Sequence, residues 1–319
     1  MTLSVWMIAY NQESHIAQAL DSVLEQKTIF DFEIVIGDDF STDKTRDILL
    51  LYKAKYPEKI KLLFHEQNVG MVKNQNLTFA ACNGDYIAML EADDFWNDKN
   101  KLQIQYEFMK KYPECDICFH PVNTTEGKIL NKHTDEVKIF STEEIIVGGG
   151  YFISTPSIML KKSITQQLPD FLSNAPAGDY YLQVFGALRG GALFVPKIMS
   201  TYRINSKGSW SNSVKNITIK QNFRSKTLEK IIEMDIYLNK KYTSSFQKRY
   251  LRIALYLSMD YLYSNNSQKF KETIQKIKNN VNKKNKKFWI LFIFKKYPRL
   301  LKSISSIHNS IKSSPISKS

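Results

Sequence analysis

Apolar positions in the first 120 residues switch repeatedly between short continuous runs and a spacing of 3.6. Leu3–Ala9 is a continuous run of strand length, and His15–Glu25 then sets Ile16, Ala19, Leu20, Val23 and Leu24 on one helical face. Phe32–Gly37 reads as a second buried strand, ending in Asp38-Asp39. Ser41 or Thr42 is placed to cap the next helix, with Asp43 in its first turn and Pro57 marking its end. A strand over Lys61–Phe64, a helix over Met71–Ala81 and a strand over Tyr86–Leu90 follow. A helix over Lys101–Tyr112, stopped at Pro113, and a strand over Asp116–His120 complete the series. This alternation predicts an α/β fold: right-handed crossovers and a mostly parallel, Rossmann-like sheet flanked by helices.

From about Phe140 to Arg203 the pattern is mixed, with a turn at Gly148-Gly149-Gly150 and short strands at Ser157–Leu160 and Ser200–Arg203. Beyond Lys220 it becomes helical, over Asn222–Leu238, Phe246–Tyr263 and Phe270–Val281. Two domains are expected: an α/β domain over 1–215, and a helical, Lys-rich region over 216–319 with a loose Ser-rich tail after Ser303.

Charge sharpens that division. The formal net charge is +14 over 319 residues. Residues 1–219 hold 22 Lys+Arg against 26 Asp+Glu, and residues 220–319 hold 23 against 5, so the excess belongs to the C-terminal third. Such a surface suits an anionic partner. A hydrophobic content of 43% excludes wholesale disorder. Three cysteines, Cys82, Cys115 and Cys118, give no disulfide framework and fit a reducing compartment. Cys115-Asp-Ile-Cys118 has the spacing of a redox or zinc half-site but no second pair, and the five histidines are scattered. Thr2–Ala9 lacks the basic leader of a signal peptide, and Phe288–Phe294 is too short to span a bilayer. A cytoplasmic protein is expected, with peripheral attachment to the cytoplasmic face of a membrane as a further expectation.

The chemistry collects at strand ends. Tyr86–Leu90 runs into Glu91, Asp93 and Asp94; the second strand ends in Asp38-Asp39, and the first in Tyr10-Asn11. Open α/β sheets bind ligands at the carboxyl ends of their strands. Three acids within four residues repel one another unless a cation lies among them, and hard oxygen ligands suit Mg²⁺ or Mn²⁺ shared with phosphates. A solvated acidic turn is the plainer alternative for that segment alone, but it does not predict three strands aiming polar residues at one edge.

Five ordered motifs carry a resemblance: SVWMIAYNQE at Ser4–Glu13, FEIVIGDDFSTDKT at Phe32–Thr45, NVGMVKNQN at Asn68–Asn76, GDYIAMLEADDFW at Gly84–Trp96 and AGDYYLQ at Ala177–Gln183. Over roughly residues 2–210 the chain resembles family 2 glycosyltransferases of the GT-A fold. The resemblance implies that Ala9, Tyr10 and Glu13 line the base and ribose of a nucleotide-sugar donor. It implies that Asp39 accepts from the nucleobase, that Gly70 lets the backbone approach the ligand and that Lys73 lies near the phosphates. Glu91-Ala92-Asp93 occupies the place of the family's Asp-x-Asp motif, with Glu91 reaching metal or ribose and Asp93 and Asp94 as metal ligands. Asp179 is implied as the catalytic base, or else as the cap of a helix over Tyr180–Leu188. Arg203, in Tyr202-Arg203-Ile204-Asn205, helps hold the diphosphate, although Asn205 replaces a basic residue common in relatives. Trp210, in the loop Ser206–Ser213, is a candidate lid residue.

Gln221-Asn222-Phe223-Arg224-Ser225 keeps the first and fourth residues of the Gln-x-x-Arg-Trp motif of processive synthases but has Ser for its Trp. The implied function is inverting transfer of one sugar, or a few, from a nucleotide-diphosphate donor. A UDP-sugar is the expected donor, with a hexosyl or acetamidohexosyl group. The expected acceptor is a hydroxyl of a glycan or lipid-linked saccharide in bacterial surface polysaccharide synthesis. The alternative is a catalytically silent relative that binds nucleotide-sugar or membrane. Lys283–Lys302 interleaves lysines with apolar residues, which suits an anionic bilayer, packing on the catalytic domain, or contact with a second subunit; no nucleic-acid motif is present.

Overall fold

Every residue of β1 (Leu3–Ala9) but Ile8 is buried, as fits a strand covered by helices on both faces. The structure, a computed structural model, describes residues 1–176, 178–204, 206, 215–278 and 286–298. Along the chain follow α1 (Ile16–Leu24), β2 (Phe32–Asp38), α2 (Thr45–Lys55), β3 (Ile60–Phe64), α3 (Met71–Ala81) and β4 (Tyr86–Met89). Next come β5 (Phe95–Trp96), α4 (Lys101–Lys111), β6 (Ile117–Phe119), β7 (Val122–Thr124), β8 (Ile129–Leu130), β9 (Lys138–Phe140) and α5 (Thr142–Gly148). Then come β10 (Met159–Lys161), α6 (Ser163–Gln166), a 3-10 turn over Asp170–Asn174, α7 (Gly178–Ala187), β11 (Ala192–Phe194) and β12 (Ser200–Tyr202).

Eight strands form the main sheet in the order β3-β2-β1-β4-β10-β6-β11-β9. The first four are parallel, β10 runs against both its neighbours, and β9 runs against β11. The α/β fold with a mostly parallel sheet flanked by helices is thus what the chain adopts. A second sheet, β5-β12-β7-β8, is made of strands of two or three residues.

The start of β4 is fixed by a buried polar knot. Ser4 Oγ donates to Glu33 Oε1 at 2.6 Å, Asn83 N donates to the same oxygen at 2.6 Å, and Gly84 N donates to Ser4 Oγ at 2.8 Å. Each buried group is paired, so the carboxylate on β2 holds the entry to β4 against β1. The approach demands a glycine: a Cβ at position 84 would lie 2.5 Å from the Leu3 carbonyl carbon.

One predicted helix start is corrected. Helix α2 begins at Thr45 with Lys44 as its N-cap, and neither Ser41 nor Thr42 caps it. Ser41 Oγ instead donates to Asp38 and accepts from Asn11 N at 2.9 Å, which ties the ends of β1 and β2 together.

The chain divides into two compact units, Met1–Ser213 and Val214–Ser319. The second contains α8 (Ile217–Tyr237), α9 (Thr243–Tyr263), α10 (Ser267–Ile277) and α11 (Lys286–Ile293). Phe270, Ile274, Phe288 and Leu291 are buried in its own core with Leu257 and Leu262. Within it, Arg224 pairs with Asp260, and Gln221 Nε2 donates to the Asp260 carbonyl at 3.0 Å. No described helix is long and apolar enough to cross a membrane. The loop at 207–214, with Trp210, Asn205, and residues 279–285 and 299–319 lie outside the described residues.

Gly84→Ala is expected to destabilise the protein by about 1–3 kcal/mol, because the backbone of Leu3 and Ser4 cannot yield cheaply. Urea unfolding would show this as a lower midpoint with an unchanged slope.

Candidate active site

Beyond its last assigned residue β4 keeps step with β1. Leu90 N donates to Trp6 O at 3.0 Å and Ala92 N to Ile8 O at 3.2 Å, before Asp94 N closes a turn onto Glu91 O at 3.0 Å. That turn folds the acids together: oxygens of Glu91, Asp93 and Asp94 lie within 4.8 Å of one another. Asp94 is 1% exposed. Its Oδ1 accepts from Arg203 N at 2.7 Å, and its Oδ2 has no hydrogen-bond partner. Burial first, then the charges of Asp93 and Glu91, push the Asp94 carboxyl well up from its ordinary value. Burial, Asp93 and Asp179 push Glu91 up to about 8, against a hydrogen bond from Thr155. Like charges in a dry site disfavour ionisation, so the cluster is short of positive charge. Hard oxygen donors, one of them orphaned, fit a divalent cation of the Mg²⁺ or Mn²⁺ type.

Arg203 reaches this place through the second sheet. Pairing of Ser200 with Trp96 and Thr201 with Phe95 carries the end of β12 back to the acids, 109 residues after Asp94. Arg203 Nε donates to Asp93 O at 2.8 Å and its Nη2 to Gln18 Oε1 at 2.7 Å. Ser206 Oγ donates to the Asp93 carboxylate. Asp179 lies in the first turn of α7, inside the helix and not at its cap, with its charge felt at Glu91. Residue 177, the first of its motif, is outside the described residues.

The other implied ligands gather at the ends of β1 and β2. Asp39 is 4% exposed; its carboxylate accepts from Val69 N at 2.7 Å and Gly70 N at 3.0 Å. Its own N–H donates to Ala9 O at 2.9 Å. Gly70 has φ +87°, a left-handed conformation natural to glycine, so the loop before α3 can hold out both amides. Tyr10 is 42% exposed at this edge. Glu13, exposed in the same sequence motif, accepts from Lys44 N at 3.0 Å ahead of α2. Lys73 is exposed on α3, with no ion pair among the described residues.

Four neighbours of the acids went unnoticed in the sequence. His15, whose pKa is lowered by burial and then by Arg203, and Gln18 lie at the start of α1. Thr155 and Ser206 complete the set. Gln18 is simply exposed on its helix, so no periodicity marks it. Cys115 and Cys118 are buried with their thiols pushed up to about 11 and about 12 by burial, which suits packing and not metal or redox chemistry.

With this geometry, similarity to known proteins becomes informative. The family described as Glycosyl transferase family 2 matches residues 4–168, and the chain belongs to it. Over 219 residues the chain is 32% identical to an uncharacterized protein of Mycobacterium tuberculosis, a match covering 66% of this chain and 61% of the relative. Over 109 residues it is 36% identical to the UDP-Glc:alpha-D-GlcNAc-diphosphoundecaprenol beta-1,3-glucosyltransferase WfgD of Escherichia coli, covering 34% of this chain and 41% of that protein. The chain thus spans about three fifths of the first relative's length and two fifths of the second's. Among solved structures, S. aureus TarS in complex with UDP-GlcNAc superposes with a TM-score of 0.63 at 16% identity, covering 88% of this chain and 82% of that one. The shared fold is of the GT-A type.

Immediately past the acid turn, Trp96 shields a buried cation. The Lys101 Nζ lies 4.2 Å from the Trp96 ring centroid and donates to Gln105 Oε1 at 2.6 Å, yet desolvation lowers its pKa to about 7. Between that value and lysine's ordinary 10.5 the unfolded chain binds a proton that the folded chain does not, so stability rises with pH in this window. Lys101→Met is expected to remove that rise and to stabilise the protein most below pH 7, checked by urea unfolding of both proteins at about pH 6.5 and about pH 9.5.

Proposed function

We propose that the chain transfers one sugar, or a few, each a hexose or acetamidohexose, from a UDP-sugar to a hydroxyl of a glycan or lipid-linked saccharide, with inversion at the anomeric carbon. The observation that carries the reading is the acid cluster. Three carboxylates converge, one oxygen is orphaned, Arg203 is pinned beside them, and the charge of Asp179 reaches Glu91. In this reading Asp93 and Asp94, with Glu91 beside them, hold a divalent cation, Mn²⁺ or Mg²⁺. When bound, that cation supplies positive charge against the developing diphosphate. The guanidinium of Arg203 adds a fixed positive charge at the same edge. Asp179 takes the proton of the acceptor hydroxyl as its oxygen attacks the anomeric carbon from the side opposite the leaving diphosphate.

On the donor side, the Asp39 carboxylate keeps lone pairs for a nucleobase N–H while it holds the Val69-Gly70 amides. Ala9 and Tyr10 border the same place, and Lys73 lies further along α3 toward the phosphates. Glu13, which also holds Lys44 N, lines the base and ribose with Ala9 and Tyr10. UDP is the favoured nucleotide because the TarS structure holds UDP-GlcNAc and WfgD is named for UDP-Glc. The name of WfgD also favours a lipid-diphosphate-linked saccharide as acceptor, in surface polysaccharide synthesis. Transfer of one sugar, or a few, fits Gln221 and Arg224, which are spent on Asp260 within the helical unit.

The two parts proposed for this work are an α/β catalytic domain over 1–215 and a basic helical region over 216–319. Ile290, Ile293 and Tyr297 are 51%, 66% and 63% exposed beside Lys296. With the excess of Lys and Arg along 283–302, they suit the anionic cytoplasmic face of a membrane.

Nucleotide release from a panel of UDP-, GDP-, CMP- and dTDP-sugars, with Mn²⁺ or with EDTA, tests the chemistry. Release from a UDP-sugar alone, abolished by EDTA and lowered roughly 10²–10⁴-fold by Asp179→Asn, is the expected result. Undiminished turnover in that variant would remove Asp179 as the base, and metal-dependent binding with no turnover under any acceptor would favour a silent relative. In flotation with anionic liposomes, the full chain is expected to float and a version cut before Lys283 to stay behind.

A further inference from the structure

A cavity of about 390 Å³ lies between α3, α6, the 3-10 turn Asp170–Asn174 and the first turn of α7. We infer that it is a saccharide subsite of the acceptor, holding the sugar next to the one that bears the attacking hydroxyl. The inference rests on the glycosyl-transfer reading above.

Position is the first argument. Gly178 forms part of the wall, and the next residue, Asp179, puts its charge on Glu91. The residue in the cavity wall and the residue whose charge is felt at Glu91 are therefore consecutive in the chain. A Cβ at 178 would meet the movable end of the Gln75 side chain, 2.8 Å from its Cδ. Without it, the Gln75 amide rests against the backbone that leads into Asp179.

Chemistry is the second. Gln75 is 5% exposed and lines the cavity, yet its side-chain amide makes no hydrogen bond to any other described residue. The amide opens into the cavity, where a ligand carrying adjacent hydroxyls can satisfy both its oxygen and its N–H groups. Phe79 and Tyr181, 3% and 2% exposed, give the cavity apolar wall suited to the C–H face of a pyranose. Asp170 and Ser173 stand exposed at the rim. An isoprenoid chain would leave the Gln75 amide buried and unpaired, so a sugar is the better occupant. The volume falls at the smaller end of ligand pockets, roughly 300–1,000 Å³. A second cavity, of about 350 Å³ beside Asp116, offers no comparable group, because Asp116 is already paired with Lys161 and Arg189.

The test is saturation-transfer NMR on the full chain with UDP and Mn²⁺. The probes are glucose, N-acetylglucosamine, cellobiose and N,N′-diacetylchitobiose, with farnesyl phosphate in a parallel sample. A disaccharide should bind the wild type more tightly than its monosaccharide. Gln75→Leu, which removes the amide, and Ser173→Trp, which fills the cavity from its rim, should each weaken it about tenfold, the effect of losing one or two hydrogen bonds. UDP affinity should be unchanged in both, which also shows them folded. Three results would overturn the subsite: no binding by any saccharide probe, equal binding by both variants, or loss of farnesyl phosphate binding alone. Failure of the wild type to bind UDP would remove the glycosyl-transfer reading and the subsite with it. Failure of saccharide binding alone removes only the subsite.

Discussion

Mutual repulsion among Glu91, Asp93 and Asp94 is the constraint around which the α/β unit is organised. Their oxygens are held within 4.8 Å in a largely dry place, an arrangement that folding alone does not favour. The surroundings oppose that cost with fixed contacts. Two strand hydrogen bonds past the end of β4 set the turn, the Arg203 N–H and guanidinium bond Asp94 and the Asp93 carbonyl, and Ser206 holds the Asp93 carboxylate. What remains is a deficit of positive charge beside the buried, unpaired Asp94 Oδ2. A deficit kept up by so many contacts sets this turn apart from a solvated one.

The ends of β1 and β2 show the same economy with backbone groups. Asp39 holds the loop before α3 through two amides, and Ser41 links Asp38 to Asn11. Charge-assisted hydrogen bonds to a buried carboxylate contribute about 1.5–3 kcal/mol each, enough to keep a glycine-bearing loop in one shape. In the reading proposed above, this edge is thereby set before the donor arrives, which lowers the entropy lost on binding.

Much of the main sheet was legible in the residue pattern, because buried parallel strands are continuous apolar runs and their crossover helices keep one apolar face. The strand over Leu3–Ala9 and the helix over Met71–Ala81 have their predicted bounds. The start of helix α2 differs from the expected one because Ser41 and Thr42, good cap residues by type, bond elsewhere: Ser41 Oγ to Asp38, and Thr42 N to Asn11 Oδ1. The second sheet was largely hidden, since strands of two or three residues carry no period. Without it, the partnership of Arg203 with Asp93 and Asp94 had no local signature, and neither did Gln18. The sequence showed three acids together but not that Glu91 joins the other two so closely, because that depends on one turn closed by Asp94 N.

The distance along the chain between the acids and their partners bears on how this protein is made. Arg203 lies 109 residues after Asp94, and Ser206 lies 113 after Asp93. During synthesis, β1 to β4 can pair once β4 has left the ribosome, well before β12 does. The acids then wait, unmatched by their guanidinium, until β12 has emerged. A nascent chain in this interval carries a nearly complete sheet with an exposed, anionic and unbraced turn, a natural point of contact for cellular cations or chaperones before the active edge is closed.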